Sequence, residues 1–167
     1  MFNRAFFTTL LVGFLAIGCA SKKPTNAQDA GGATDSNGAN AGLSLELNGD
    51  SDSNTAGGLQ TVYFDFNESS LSSGTKDALK NNAEFLKTNA TVDVQVEGHA
   101  DERGGHQYNL ALGERRAKAV RDYLVSSGVA SKRISTISYG KERPVSEGHD
   151  EGAWSKNRRA NFVVTAK

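Results

Sequence analysis

The chain has 167 residues, with 19 basic and 19 acidic side chains that cancel to a formal net charge of zero, and a single cysteine. That length allows one ordinary domain with appendages, and the charge balance supplies no global pull toward nucleic acid or an anionic membrane. One cysteine excludes an internal disulfide and a multi-cysteine zinc site, and His99, His106 and His149 lack the spacing of a metal-binding pair on a helix.

Residues 1–18 read as a leader. Arg4 gives a short basic start, and Ala5 to Ile17 is an apolar run built on Phe6, Phe7, Leu10, Leu11, Val12, Phe14 and Leu15. The run is too short to span a bilayer comfortably and has the form of a signal-peptide core. It closes on Leu15-Ala16-Ile17-Gly18-Cys19, which resembles a bacterial lipobox. In that motif the cysteine thiol takes a diacylglyceryl group and becomes the new N-terminus. Ala16 stands where leucine is usual, with Leu15 one place upstream; the alternatives are an ordinary secretory signal with a chance cysteine, or a short buried helix. Several acyl chains on Cys19 would anchor stably, at about 0.8 kcal/mol per buried methylene. Ala20 rather than aspartate after the cysteine implies release to the outer membrane.

Residues 19–58 then read as the lipidated cysteine and a flexible linker. From Ala20 to about Gly58 the composition is Ala, Gly, Asn, Ser, Asp and Thr, with no aromatic residue. Such a stretch buries too little apolar surface to offset its backbone entropy. Leu43-Ser44-Leu45-Glu46-Leu47 alternates and could add a short strand. Asp50-Ser51-Asp52-Ser53-Asn54 imitates the start of an EF-hand loop, yet Thr55 holds the required glycine position and Thr61 the bidentate glutamate position. It is read as polar linker.

The globular part, 59–167, opens on a half-buried strand in which Val62, Phe64 and Phe66 alternate with Tyr63 and Asp65. Ser72 and Ser73 can cap a helix whose buried stripe is Leu79, Ala83, Leu86 and Ala90, extended by Ala78 and Phe85. Val92, Val94 and Val96 mark a second strand. A turn-rich stretch, Gly98 to His106, leads into a long helix closing at Ser127-Gly128, where glycine suits a left-handed cap. Ile134 and Ile137 mark a third strand. A loop from Gly140 to about Lys156 follows, with one helical turn near Trp154, and Phe162 and Val164 mark a last strand. The order β-α-β-α-β-β predicts a two-layer α/β sandwich: a four-stranded mixed sheet with both helices on one face and the other face wet.

Motifs for acyl transfer, nucleotide binding or zinc hydrolysis do not occur, and no nucleophile sits beside a base in a recognisable pattern, so an enzyme is not expected and no cofactor is implied. One position breaks the helical pattern. With Leu112 at zero and a step of about 100° per residue, Ala119, Tyr123, Val120 and Leu124 lie at about −20°, 20°, 80° and 120°, and Arg116 falls among them at about 40°. A guanidinium aimed at a core needs a carboxylate partner or a cleft, unless it snorkels along its apolar neighbours. Asp101 follows the second strand at the end of the sheet where this helix begins. Asp101 and Arg116 can therefore form either a loop-fixing salt bridge or the two sides of a pocket for a zwitterion.

Val62-Tyr63-Phe64-Asp65-Phe66, Val96-Glu97-Gly98-His99-Ala100-Asp101-Glu102-Arg103-Gly104, Tyr108-Asn109 and Leu112-Gly113-Glu114-Arg115-Arg116-Ala117 together resemble the OmpA-like peptidoglycan-binding family. The likeness continues through Ser138-Tyr139-Gly140-Lys141-Glu142-Arg143-Pro144, Gly148-His149-Asp150-Glu151 and Asn157-Arg158-Arg159-Ala160. It implies that the ligand is the meso-diaminopimelate stem peptide of peptidoglycan. Asp101 then matches the position that takes the ammonium, and Arg116 the one that takes the carboxylate. Phe66, Arg103, Asn109 and Leu112 match positions that line or shape the pocket. Asn67 departs, since aspartate is frequent there, and Gly105 replaces a bulkier residue; Arg158 and Arg159 are read as structural, pairing with carboxylates around the last strand. With the lipobox, the resemblance implies an outer-membrane lipoprotein of the Tol–Pal envelope system facing the periplasm, with TolB and other Tol proteins as partners. The alternative is a wall-binding lipoprotein of another envelope machine, such as a motor stator or secretion apparatus.

Overall fold

A computed structural model describes residues 44–167. The leader and Cys19 lie outside the described residues. Two helical segments and one short one alternate with strands: β1 (Val62–Tyr63), α1 (Ser73–Thr88), β2 (Asp93–His99), α2 (His106–Ser126), β3 (Ile134–Gly140), α3 (Glu151–Asn157) and β4 (Arg159–Ala166). The sheet order is β1-β4-β2-β3. Only β2 and β3 run parallel, joined by α2 as their crossover; β4 lies antiparallel to both β1 and β2. The expected two-layer α/β sandwich with a mixed four-stranded sheet is what forms, and the turn near Trp154 is α3.

The layers meet where the sequence patterns point. Leu79, Ala83 and Leu86 of α1 and Ala117, Val120 and Leu124 of α2 pack in one core with Val94 and Val96 of β2 and Phe162 and Val164 of β4. Each fully buried leucine there contributes roughly 1.5–3 kcal/mol. Ser72 caps α1 by accepting from the Thr75 backbone N–H at 3.2 Å. α2 ends with Gly128 at φ +96°, and the N–H of Val129 reaches the Leu124 carbonyl at 3.0 Å. The Arg133 guanidinium then ties the C-terminal turn of α1 to the start of β2, donating to Leu86 O at 2.9 Å and Val92 O at 3.0 Å.

The β1 edge of the sheet is sealed from α1. Asn82, fully buried in mid-helix, accepts from Gln60 N and donates to Gln60 O, both at 2.8 Å, while Thr75 Oγ1 donates to Tyr63 O at 2.8 Å. These bonds occupy backbone groups that would otherwise template pairing with another chain.

Two expectations are corrected. Residues 44–58 are not a flexible linker. Asn48 N donates to Val164 O (2.8 Å), Val164 N to Gly49 O (2.9 Å) and Ser51 N to Phe162 O (2.9 Å), so this segment pairs with β4 beyond the end of β1. Leu45 bridges Ala56, and Ala56 and Leu59 join the core. The Asp50–Asn54 stretch is a turn, with Ser53 N donating to Asp50 Oδ1 at 2.9 Å, and Asp52 Oδ2 accepts from Arg159 Nε at 2.7 Å. Backbone pairing and ion pairing hold what apolar burial alone could not. For the same reason the second face of the sheet is not simply wet: Glu97, His99, Arg159 and Asn161 are all buried there, with Ser51 Oγ donating to Asn161 Oδ1 at 2.8 Å.

A backbone contact sets the position of α2. A β-carbon on Gly98 would lie 1.8 Å from the Gly113 carbonyl oxygen, and one on Gly113 would lie 2.6 Å from the Gly98 oxygen. Only glycine at both positions lets the helix rest directly on β2. Arg116, one turn further along, is thereby brought under the end of the strand.

Candidate functional site

Beyond the C-terminal end of β2 and beside the first turns of α2 lies a pocket of about 240 Å³. It is lined by Phe66, Asn67, Asp101, Arg103, Gly104, Tyr108, Asn109, Leu112 and Arg116. The structure thus gathers all seven residues singled out from the sequence into one cavity, and adds Gly104 and Tyr108. A larger groove of about 530 Å³ opens between β1, α1 and α3. The buried charge on that groove, Arg158, is already paired with Asp101 and Glu151. The smaller pocket carries the more demanding chemistry.

Arg116 is fully buried. Its Nε donates to Glu68 O at 2.8 Å, Nη1 to His99 O at 2.7 Å and Nη2 to Asp65 O at 3.1 Å. The guanidinium carbon stands 5.0 Å from the centroid of the Phe64 ring. Of the alternatives open from sequence, snorkelling is excluded by the burial, and no carboxylate among the described residues is hydrogen-bonded to the guanidinium; Arg116 sits at a cleft. Burial pushes its pKa down to about 10, a shift that the nearby Asp101 charge only partly offsets. It remains a cation at neutral pH, yet every direct partner among the described residues is a neutral carbonyl. These bonds also explain why the first strand stops at Tyr63 rather than continuing to Phe66: Asp65 and Glu68 turn their carbonyls to Arg116, and the chain bends at Asn67.

Asp101 is 4% exposed. Its Oδ1 accepts from Arg103 N at 3.1 Å and Arg103 Nε at 3.2 Å, and its Oδ2 from Arg103 Nη2 at 2.6 Å and Arg158 Nη1 at 3.4 Å. Burial alone would raise the carboxyl pKa; the Arg103 bonds and charge outweigh it and hold the group below the ordinary carboxylate value. Asp101 and Arg116 therefore share the pocket without a direct bond between them. Arg158 also donates to Phe64 O at 3.0 Å and pairs with Glu151. The structural reading of Arg158 and Arg159 matches these pairs.

The remaining walls follow from local geometry. Asn67 has φ +60°, a conformation asparagine tolerates, and its Oδ1 accepts from the Tyr108 hydroxyl. Asn109 donates to Arg103 O at 3.0 Å, and Lys141 Nζ donates to Gly104 O at 2.8 Å, which together fix the 100–105 loop. Gly105 is the N-cap of α2, and a β-carbon there would meet nothing within 4 Å. Leu112 supplies a buried apolar wall and Phe66 an exposed one.

Trp154 was not singled out as a site residue. Asp150 caps α3 by accepting from Ala153 N at 2.8 Å, and α3 presents Trp154 to the Arg103 guanidinium at 4.1 Å. Its Nε1 donates to Glu102 Oε1 at 2.9 Å. That bond, then the one from His149, holds the Glu102 carboxyl below its ordinary pKa. The available signal was the chain's single tryptophan standing in a polar, glycine-containing loop.

The fold and sequence match those of known proteins. Residues 63–158 match the OmpA family. The peptidoglycan-associated lipoprotein of Mesorhizobium japonicum is 49% identical over 152 residues, covering 90% of this chain and 86% of that protein. The peptidoglycan-associated lipoprotein of Pseudomonas aeruginosa is 43% identical over 162 residues, covering 94% of each. The crystal structure of the peptidoglycan-associated lipoprotein from Burkholderia pseudomallei superposes with a TM-score of 0.60 at 43% identity, covering 62% of this chain and 88% of that one.

Proposed function

We propose that this chain, which belongs to the OmpA family and within it to the peptidoglycan-associated lipoproteins, grips the peptidoglycan stem peptide non-covalently through the zwitterionic side chain of meso-diaminopimelate. The observation that carries this reading is Arg116: a buried cation on the floor of a pocket, satisfied only by neutral carbonyls, with a buried carboxylate in the same wall. Such a guanidinium lacks a bonded anion among the described residues. Arginine carries more N–H donors than those three bonds use, so the guanidinium can still receive a carboxylate, and the low-dielectric surroundings strengthen that bond. Asp101 takes the ammonium. Leu112 and Phe66 contact the methylenes between the two charges, and Asn67 and Asn109 shape the rim. No bond in the ligand is made or broken.

In this reading Cys19 carries the lipid, the acyl chains sit in the outer membrane, and the domain holds the wall from the periplasmic side. The chain works as a tether in the Tol–Pal envelope system, with TolB competing for the surface around the pocket. Asp101→Asn keeps the shape and removes the charge. It should weaken binding of a diaminopimelate tripeptide by roughly thirtyfold or more, the equivalent of at least about 2 kcal/mol. Calorimetric titration reads this directly, and wild-type affinity in the variant would sink the assignment. Incorporation of labelled palmitate into wild type but not Cys19→Ser tests the anchor separately.

A further inference from the structure

A carboxylate offers about four lone-pair directions, and those of Asp101 are filled. Arg103 takes three with its N–H, Nε and Nη2, and Arg158 the fourth. A ligand ammonium reaching Asp101 meets an acceptor with no vacancy, so one arginine has to yield. Arg158 is poorly placed to do so: its side chain is 8% exposed and also donates to Phe64 O and Glu151. Arg103 is well placed. Its side chain is 30% exposed, and its guanidinium lies between the Phe66 ring at 4.0 Å and the Trp154 ring at 4.1 Å. A second carboxylate, Glu151, already stands 3.7 Å from its Nη2. The main chain need not follow, because Asn109 holds the Arg103 carbonyl.

We infer that the Arg103 guanidinium is an internal stand-in for the ligand's ammonium, and that binding is an exchange in which Arg103 leaves Asp101 for Glu151 while staying against Trp154. This rests on the zwitterion reading of the pocket and adds a source of selectivity to it. A ligand with a carboxylate but no ammonium leaves Arg103 in place and gains nothing from Asp101. A ligand with an ammonium alone has to displace Arg103 without help from Arg116. Only a ligand carrying both charges gains from both sites.

The test uses the full-length chain in detergent and two tripeptides, one ending in meso-diaminopimelate and one in 2-aminopimelate, which keeps the distal carboxylate and lacks the distal ammonium. Arg103→Ala should bind the diaminopimelate peptide roughly two- to fivefold more tightly than wild type, the range expected for removing a partly exposed ion pair that competes with it. Affinity for the aminopimelate peptide should not change. In wild type the emission of Trp154, the chain's one tryptophan, should shift with the first peptide and not the second; in Arg103→Ala that shift should vanish. Arg103→Gln, which keeps length without charge, should move affinity in the same direction. Equal or weaker binding of the diaminopimelate peptide by both variants overturns the exchange, as does an equal gain for both peptides. Failure of wild type and both variants alike to bind the diaminopimelate peptide overturns the pocket reading itself.

Discussion

Two of the buried arginines, Arg116 and Arg159, lie on opposite sides of the sheet, and their partners differ in kind. Arg159, behind the sheet, is neutralised: its Nε meets Asp52 Oδ2 at 2.7 Å. Arg116, in the pocket, is solvated by three carbonyls and neutralised by none at hydrogen-bond distance. Burial of a charge therefore does not separate the two residues; what separates them is whether a carboxylate is bonded to the guanidinium, and the cation without one is the one that lines a cavity.

The contrast can be broken most forcefully at Arg116. Arg116→Ala leaves the buried His99 carbonyl without this donor, at about 1–3 kcal/mol, and frees the part-buried Asp65 and Glu68 carbonyls, which water can reach at smaller cost, so a loss of roughly 3 kcal/mol is expected. Urea denaturation measures it; a loss no larger than that of a typical surface substitution would show that these bonds are replaceable. Next in size, Asp52→Ala strands Arg159 and should cost about 2 kcal/mol, less than the 3–5 kcal/mol of a fully enclosed pair because Asp52 keeps some exposure. Affinity for the diaminopimelate peptide should be unchanged. A parallel loss of affinity would mean that the two faces are coupled.

The smallest effect separates the faces by pH. His99, behind the sheet beside Glu97 and stacked on Tyr139, is 1% exposed, and neither ring nitrogen has a hydrogen-bond partner among the described residues. Burial, opposed by Glu97, lowers its pKa from 6.5. Below that value the unfolded chain takes up a proton that the folded chain resists, so this group makes stability fall as pH drops through 6.5 toward the folded pKa. The slope is at most about 1.4 kcal/mol per pH unit. His99→Phe should flatten it in denaturation curves taken between about pH 5.5 and pH 7.5, one unit either side of the ordinary histidine value. The pocket groups behave otherwise: Asp101 is held ionised and Arg116 protonated across that window, so peptide affinity should stay level.

What was legible in the sequence was local. The stripe through Leu79, Ala83 and Leu86 and the alternation through Val92, Val94 and Val96 are patterns within one element, and they placed the layers. Arg116 announced itself by standing on an apolar helix face. The pocket residues came from their likeness to a known family rather than from spacing. What escaped detection depends on partners distant along the chain. The order of residues 44–58 is held by Phe162, Val164, Arg159 and Asn161 on the last strand, and no window around Ser51 contains that information. The saturation of Asp101 is equally invisible, because Arg158 reaches it from the loop before β4 and the stacking face of Trp154 exists only once α3 has folded over Arg103.

The contact of Gly98 with Gly113 has one further consequence. Main chain touching main chain has no rotamers to vary, so the separation between the strand end that launches Asp101 and the helical turn that carries Arg116 is a constant of the scaffold. Residues on the rim, such as Asn67, can then be exchanged without disturbing the gauge between the charges. Two missing side chains act as the ruler of the site.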